Sequence, residues 1–219
     1  MASEAGQAGG GVGLRLGDAP VGVISALDEM GPALSAAFQH AHLDVRRAAV
    51  DDENSRLVES IAETLVVVLT APYHAVEARI PRLRAVLADK IVVAAAADVS
   101  FDADGYVAMV GPSVAERLAE AFPESTVVGA FQLLGARHVT LALHSGWESD
   151  VALTGDDEAA LDIVSALVES IPGLTPVRAG ALRSTAAVEG FVAGLRQVED
   201  DRGRPLGVRF GEQGPTILT

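Results

Sequence analysis

The chain has 219 residues, with 30 acidic against 16 basic side chains and a formal charge of −14, a surface that repels phosphate backbones and anionic lipid. Apolar residues make up 49%, charged ones 21% and aromatics only 4%, which excludes a disordered chain and calls for a core of Ala, Val, Leu and Ile. Cysteine is absent, which removes disulfides, thiolate metal sites and cysteine nucleophiles and fits a reducing, cytoplasmic address. Small molecules therefore come before nucleic acid or membrane as expected partners, with a homodimer or a partner protein as a further possibility through the Ala/Gly-rich last helix.

Residues 1–19 are small and Gly-rich, without the basic and apolar regions of a signal peptide, and read as a flexible tail. From residue 20 to 199, short β-branched runs alternate with Ala/Leu-rich stretches of helical period. The strands are expected at Val21–Ala26, His42–Arg46, Leu65–Thr70, Ile91–Ala95, Thr126–Ala130 and Asp150–Thr154. The helices between them are expected at Gly31–Ala41, Pro72–Ala88, Ser113–Ala121, Asp156–Ser170 and Ala181–Glu199. Ser113 with Glu116 has the spacing of a capping box, and Asp156-Asp157 suits a positive helix start. This alternation predicts an α/β fold, a doubly wound and mostly parallel sheet with a small C-terminal helical region. Residues 97–111 break the rhythm as a loop with a short hairpin around Asp104-Gly105, and residues 200–219 read as a polar tail.

In such a sheet, ligands bind beyond the carboxyl ends of the strands, and a dinucleotide diphosphate rests on the first strand–helix turn. That turn is Ser25-Ala26-Leu27-Asp28-Glu29-Met30-Gly31. If Gly31 is the third glycine of a G-x-G-x-x-G fingerprint, Ala26 and Asp28 replace the first two. Two unit charges about 4 Å apart repel by roughly 4 kcal/mol at an effective dielectric of ~20, so Asp28 opposes a diphosphate unless it turns away or is protonated. The alternative is that Asp28 and Glu29 occupy the positive helix end themselves and only stabilise it.

After the second strand, Arg46 and Arg47 stand where an NADP site places a base against the 2′-phosphate; they could equally be a solvated surface pair. His40, His42 and Asp44 would share a face of a strand and could present two imidazoles and a carboxylate to a metal, although no further ligands accompany them. His74, after Thr70-Ala71-Pro72-Tyr73, could titrate at the sheet's carboxyl edge or be a surface residue. Gln132, after Phe131, could bond a heterocycle or satisfy loop backbone. G-x-S-x-G, P-loop and H-E-x-x-H patterns are absent, so hydrolase and NTPase chemistry lose their usual signals.

Three stretches, VVVLTAPYHAVEARIPRLRAVLADKIVV, GPSVAERLAEAFPESTVVGAF and DVALTGDDEAALDIVSALVESIPGLTPVRAGALRSTAAVEG, followed by GVRF near the end, give the chain its family likeness. From about Val21 to Phe210 it resembles the NADPH-dependent reductases of the deazaflavin coenzyme F-420. The resemblance implies a Rossmann-like domain, NADP and coenzyme F-420 as cofactors, and direct hydride transfer between two flat rings, with no protein nucleophile or metal. It implies Ala26, Leu27, Asp28 and Gly31 at the phosphate turn and Arg46 or Arg47 at the 2′-phosphate. Ala71, Pro72 and Tyr73 would lie beside the nicotinamide, with Phe131 and Gln132 bordering the shared ring pocket. Two departures stand out: the family's GTGDQG-like turn is here Ala26-Leu27-Asp28-Glu29-Met30-Gly31, and the His that commonly follows the Phe is Gln132. The first bears on NADP, the second on the deazaflavin, and together they give an alternative expectation, a catalytically degenerate binding or assembly subunit.

Overall fold

A computed structural model describes residues 19–51, 56–103, 105–108 and 110–211. In chain order the elements are β1 (Val21–Ser25), α1 (Met30–His40), β2 (Val45–Ala49), α2 (Arg56–Ala62), β3 (Val66–Leu69), α3 (Tyr73–Glu77), α4 (Ile80–Leu87) and β4 (Ile91–Ala94). A hairpin of β5 (Val99–Asp102) and β6 (Gly105–Ala108) follows, then α5 (Val114–Ala121), β7 (Thr126–Gly129) and α6 (Ala136–Ser145). The chain continues through β8 (Ser149–Gly155), α7 (Glu158–Glu169), β9 (Leu174–Arg178) and α8 (Thr185–Arg202).

Every residue of β3 and β4 is apolar and buried, as a strand covered on both faces requires. Successive side chains point to opposite faces, so Val66, Val68 and Val93 pack with Leu34 and Phe38 of α1, Val139 of α6 and Val164 of α7. Val67, Leu69 and Val92 pack instead with Ile61, Leu83 and Leu118 from α2, α4 and α5. Two cores thus sandwich one sheet, each fully buried Val or Leu contributing about 1.5–3 kcal/mol of transfer free energy.

The sheet runs β2-β1-β3-β4-β7-β8-β9, parallel from β2 to β7, with β8 antiparallel to β7 and parallel to β9. The doubly wound, Rossmann-like expectation holds. The strand order reverses between β1 and β3, so their carboxyl ends diverge into the crevice where such sheets bind ligands.

Several boundaries differ from the sequence reading. β2 begins at Val45, because the helix runs on to His40 and His42 takes a left-handed turn at φ 63°. The expected helix over Pro72–Ala88 is two, since Pro81 removes a backbone donor and opens α4 within its first turn. The capping box of Ser113 and Glu116 is formed, and Asp157 caps α7. Neither α6 nor β9 was expected: both fall between the elements read from the sequence, and β9 carries Pro176, which an edge strand tolerates. The hairpin forms where expected, with Asp104 outside the described residues. After α8 the chain stays attached up to residue 211: Asp150 N–H donates to the Val208 carbonyl (2.7 Å), and Phe210 N–H donates to the Asp150 carboxylate (2.6 Å).

Candidate functional site

The turn from β1 to α1 is closed by its own carboxylate. Ala26 N–H donates to Asp28 Oδ2 and Gly31 N–H donates to Asp28 Oδ1, both at 2.8 Å. The Thr70 hydroxyl, from the end of β3, lies 3.2 Å from both oxygens. Asp28 therefore occupies the backbone donors of this turn, beside the crevice between β1 and β3. Glu29, the residue before α1, makes no side-chain cap. Gly31 keeps the role of a third glycine: a Cβ there would sit 2.4 Å from Ser25 Cβ, so helix and strand could not approach as they do.

A cleft of about 610 Å³ opens on one side of this turn, walled by Ala26, Leu27, Asp28, Pro32, Arg47 and Ala49. The structure separates the two candidate arginines. Arg46 pairs with Asp44 at 2.9 Å on the surface, whereas Arg47 lines the cleft and has no side-chain partner among the described residues.

On the other side of the turn, at the carboxyl ends of β3, β4 and β7, lies a pocket of about 400 Å³ whose walls include Met30, Thr70, Pro72, Gln132, Val192 and Arg196. Gln132 is only 4% exposed and its Nε2 has no hydrogen-bond partner among the described residues, a cost that a native chain rarely bears without a reason. Phe131, just before it, is buried with φ 69° and meets Phe38 edge to face at 6.4 Å. A left-handed Phe is strained backbone, a condition that clusters at functional sites.

Not all the expected residues converge. Ala71 and Phe131 are core residues and do not line the pocket. Tyr73 is not in the cavity with Gln132: its ring lies under the Arg117 guanidinium, 4.1 Å from Cζ to centroid, in a separate recess that also holds His74. His40 ends α1 and His42 is in the turn, so they share no strand face with Asp44, and no group of three or more possible metal ligands occurs among the described residues.

Sequence reasoning missed a polar cluster between α6 and α8. His138 Nδ1 accepts the Gly135 N–H at 2.7 Å, which puts the ring proton on Nε2, 2.5 Å from Glu199 Oε1. Glu199 also accepts from Leu206 N–H (2.9 Å) and from Arg196 (2.9 Å). Burial lowers the His138 pKa, against the raising effect of Glu199. On α8, Glu189 takes the Val114 N–H on both oxygens (2.9 and 3.0 Å), and burial pushes its carboxyl up to about 7. Glu189, His138 and Glu199 carried no local motif; only their fall on the inner face of a helix distinguishes them.

No family model matches the chain. Among solved structures, it is similar to a candidate F-420-dependent NADP reductase from Arthrobacter sp., at 17% identity and TM-score 0.74 over 90% of this chain and 100% of that one. A hypothetical protein from Sinorhizobium meliloti is similar at 22% identity and TM-score 0.62, covering 86% and 93% of the two chains. The Plasmodium falciparum pyrroline carboxylate reductase solved with NADP bound is similar at 11% identity and TM-score 0.58, covering 86% and 67%. At these identities the likeness is one of fold. Among the described residues no helix is long and apolar enough to cross a membrane.

Proposed function

We propose that the chain is an oxidoreductase of the NADP-linked, deazaflavin-reducing kind, with dinucleotide affinity held down by Asp28. The observation that carries this reading is the arrangement of two cavities on either side of one strand–helix turn, one walled by Arg47, which has no side-chain partner among the described residues, and the other by Pro72 and Gln132. The outer parts of an NADP molecule fit: Arg47 suits a 2′-phosphate, and the pocket at the sheet's carboxyl end suits a flat ring with one unmet donor, Gln132 Nε2. The middle does not fit as it stands, because Asp28 already holds the Ala26 and Gly31 N–H groups. Bound cofactors would supply the hydride chemistry. This chain's part is to orient the two rings and exclude water. Calorimetry with NADPH, NADH and reduced coenzyme F-420 tests the reading: weak NADPH binding, tighter than NADH, supports it, and no binding of either nicotinamide sinks it.

A second reading is favoured by the Asp28 contacts themselves. If the carboxylate stays in the turn whatever is added, the protein is a degenerate member of this fold serving as a binding or assembly subunit. Absence of nicotinamide binding by the natural chain, together with its appearance in Asp28→Gly, supports that reading over the first.

A further inference from the structure

The foot of the β5–β6 hairpin is held by one ion pair. Asp98, the residue before β5, bonds the guanidinium of Arg117 on α5, which in turn lies over the Tyr73 ring of α3. Arg117 Nε is buried and has no hydrogen-bond partner among the described residues, an unmet donor of a kind that native proteins rarely keep. One turn earlier on α5, Glu189 reaches across from α8 to the Val114 N–H, and residues three apart on a helix share a face. Glu189, Arg117 and Asp98 are thus two carboxylates and one guanidinium that join α8, α5 and the foot of the hairpin. That foot also separates two cavities: Pro72, Ala97 and Val99 line both the ring pocket and the recess that holds Tyr73 and His74.

Burial above all, and Asp98 after it, push the Glu189 carboxyl up to about 7, against the lowering effect of the Val114 and Ala115 N–H groups and of Arg117. The other charged groups on the neighbouring elements are committed or exposed. Glu116 of α5 is tied to Ser113, Tyr106 of β6 donates to Asp200, and Glu77, Glu120 and Arg183 are exposed. With Glu189 neutral, Arg117 and Asp98 balance each other. With Glu189 ionised, two carboxylates face one guanidinium that has a donor to spare.

We propose that loss of the Glu189 proton sets Glu189 against Asp98 in competition for Arg117, through the unmet Nε–H, and so loosens the foot of the hairpin between the two cavities. The wall is pinned at mildly acidic pH and released as pH rises, whatever ligand the ring pocket takes.

The test is nuclear magnetic resonance of the ¹⁵N-labelled full chain across about pH 5.5 to 8.5, a range centred on the titration of this carboxyl. The Arg117 Nε–H signal, assigned by its loss in Arg117→Lys, and the backbone amides of β5 and β6 are expected to shift together with a midpoint near 7, while those of β3 and β4 stay. Glu189→Gln is expected to abolish both titrations. His74→Gln, which removes the imidazole in the recess, is expected to leave them in place. Asp98→Asn takes away the competing charge and is expected to lower the midpoint of the Arg117 signal, which decides the matter if Glu189→Gln does not fold. Hairpin amides that do not titrate, a titration that survives in Glu189→Gln or vanishes in His74→Gln, or a midpoint unmoved in Asp98→Asn overturns the proposal.

Discussion

The starts of α1 and α6 stand at the same edge of the sheet and face the same electrostatic problem, backbone N–H groups with no intrahelical acceptor. At α1 the answer is a carboxylate, Asp28, on Ala26 and Gly31. At α6 it is an imidazole, His138, on Gly135. Both satisfy backbone; only the first adds negative charge. The contrast teaches that a helix start can be closed by a charged or by a neutral group, and that the choice sets the charge presented at the sheet's carboxyl edge. The start of α5 is an intermediate case, since Glu189 holds Val114 N–H with a carboxyl whose pKa is raised to about 7.

The largest way to break this comparison is Gly31→Ala. The new Cβ would meet Ser25 Cβ at 2.4 Å, and overpacking of this kind costs about 3 kcal/mol; urea denaturation is expected to show that loss, whereas Gly190→Ala, on a helix surface with nothing within 4 Å, is expected to show none. Arg47→Gln sharpens the cleft side of the α1 turn. In an Asp28→Gly background it is expected to cost NADPH about tenfold in affinity, close to 1.4 kcal/mol, with NADH little changed, while Arg46→Gln, already paired with Asp44, changes neither. Asp28→Ala should cost about 1 kcal/mol of stability as a lost cap, read as a drop in the midpoint of chemical unfolding.

A further effect, set by pH, concerns α5. A carboxyl raised from 4.5 to about 7 on folding favours the native state fully below its unfolded pKa, and that contribution is lost as pH rises through 7. Glu189→Gln cannot ionise, so its stability relative to the natural chain should rise by about 3 kcal/mol, roughly 6–12 °C in Tm, between pH 4.5 and 7 and then level off. A difference that is flat across this range contradicts the assigned burial of the charge.

Much of this fold was legible because its signals are local. VVVL and IVVA read as two-sided strands, Ser113 with Glu116 is a complete cap within four residues, and Asp28 next to the helix start is placed to hold its N–H groups. What escaped depends on distant partners. The burial of Gln132 Nε2 is set by the fold around it, and His138 meets Glu199 across 61 residues. Arg46 and Arg47 were indistinguishable until the true start of β2 set which side chain faces the cleft. Tyr73 lies under Arg117, a partner on α5 that its own neighbourhood in the sequence does not announce.

The most direct test of the central claim, that Asp28 stands in the place of a diphosphate, is the affinity for NADPH of Asp28→Gly compared with the natural chain by calorimetry at one ionic strength. The account predicts a gain of at least tenfold, about 1.4 kcal/mol. An affinity unchanged by removing the carboxylate would contradict it.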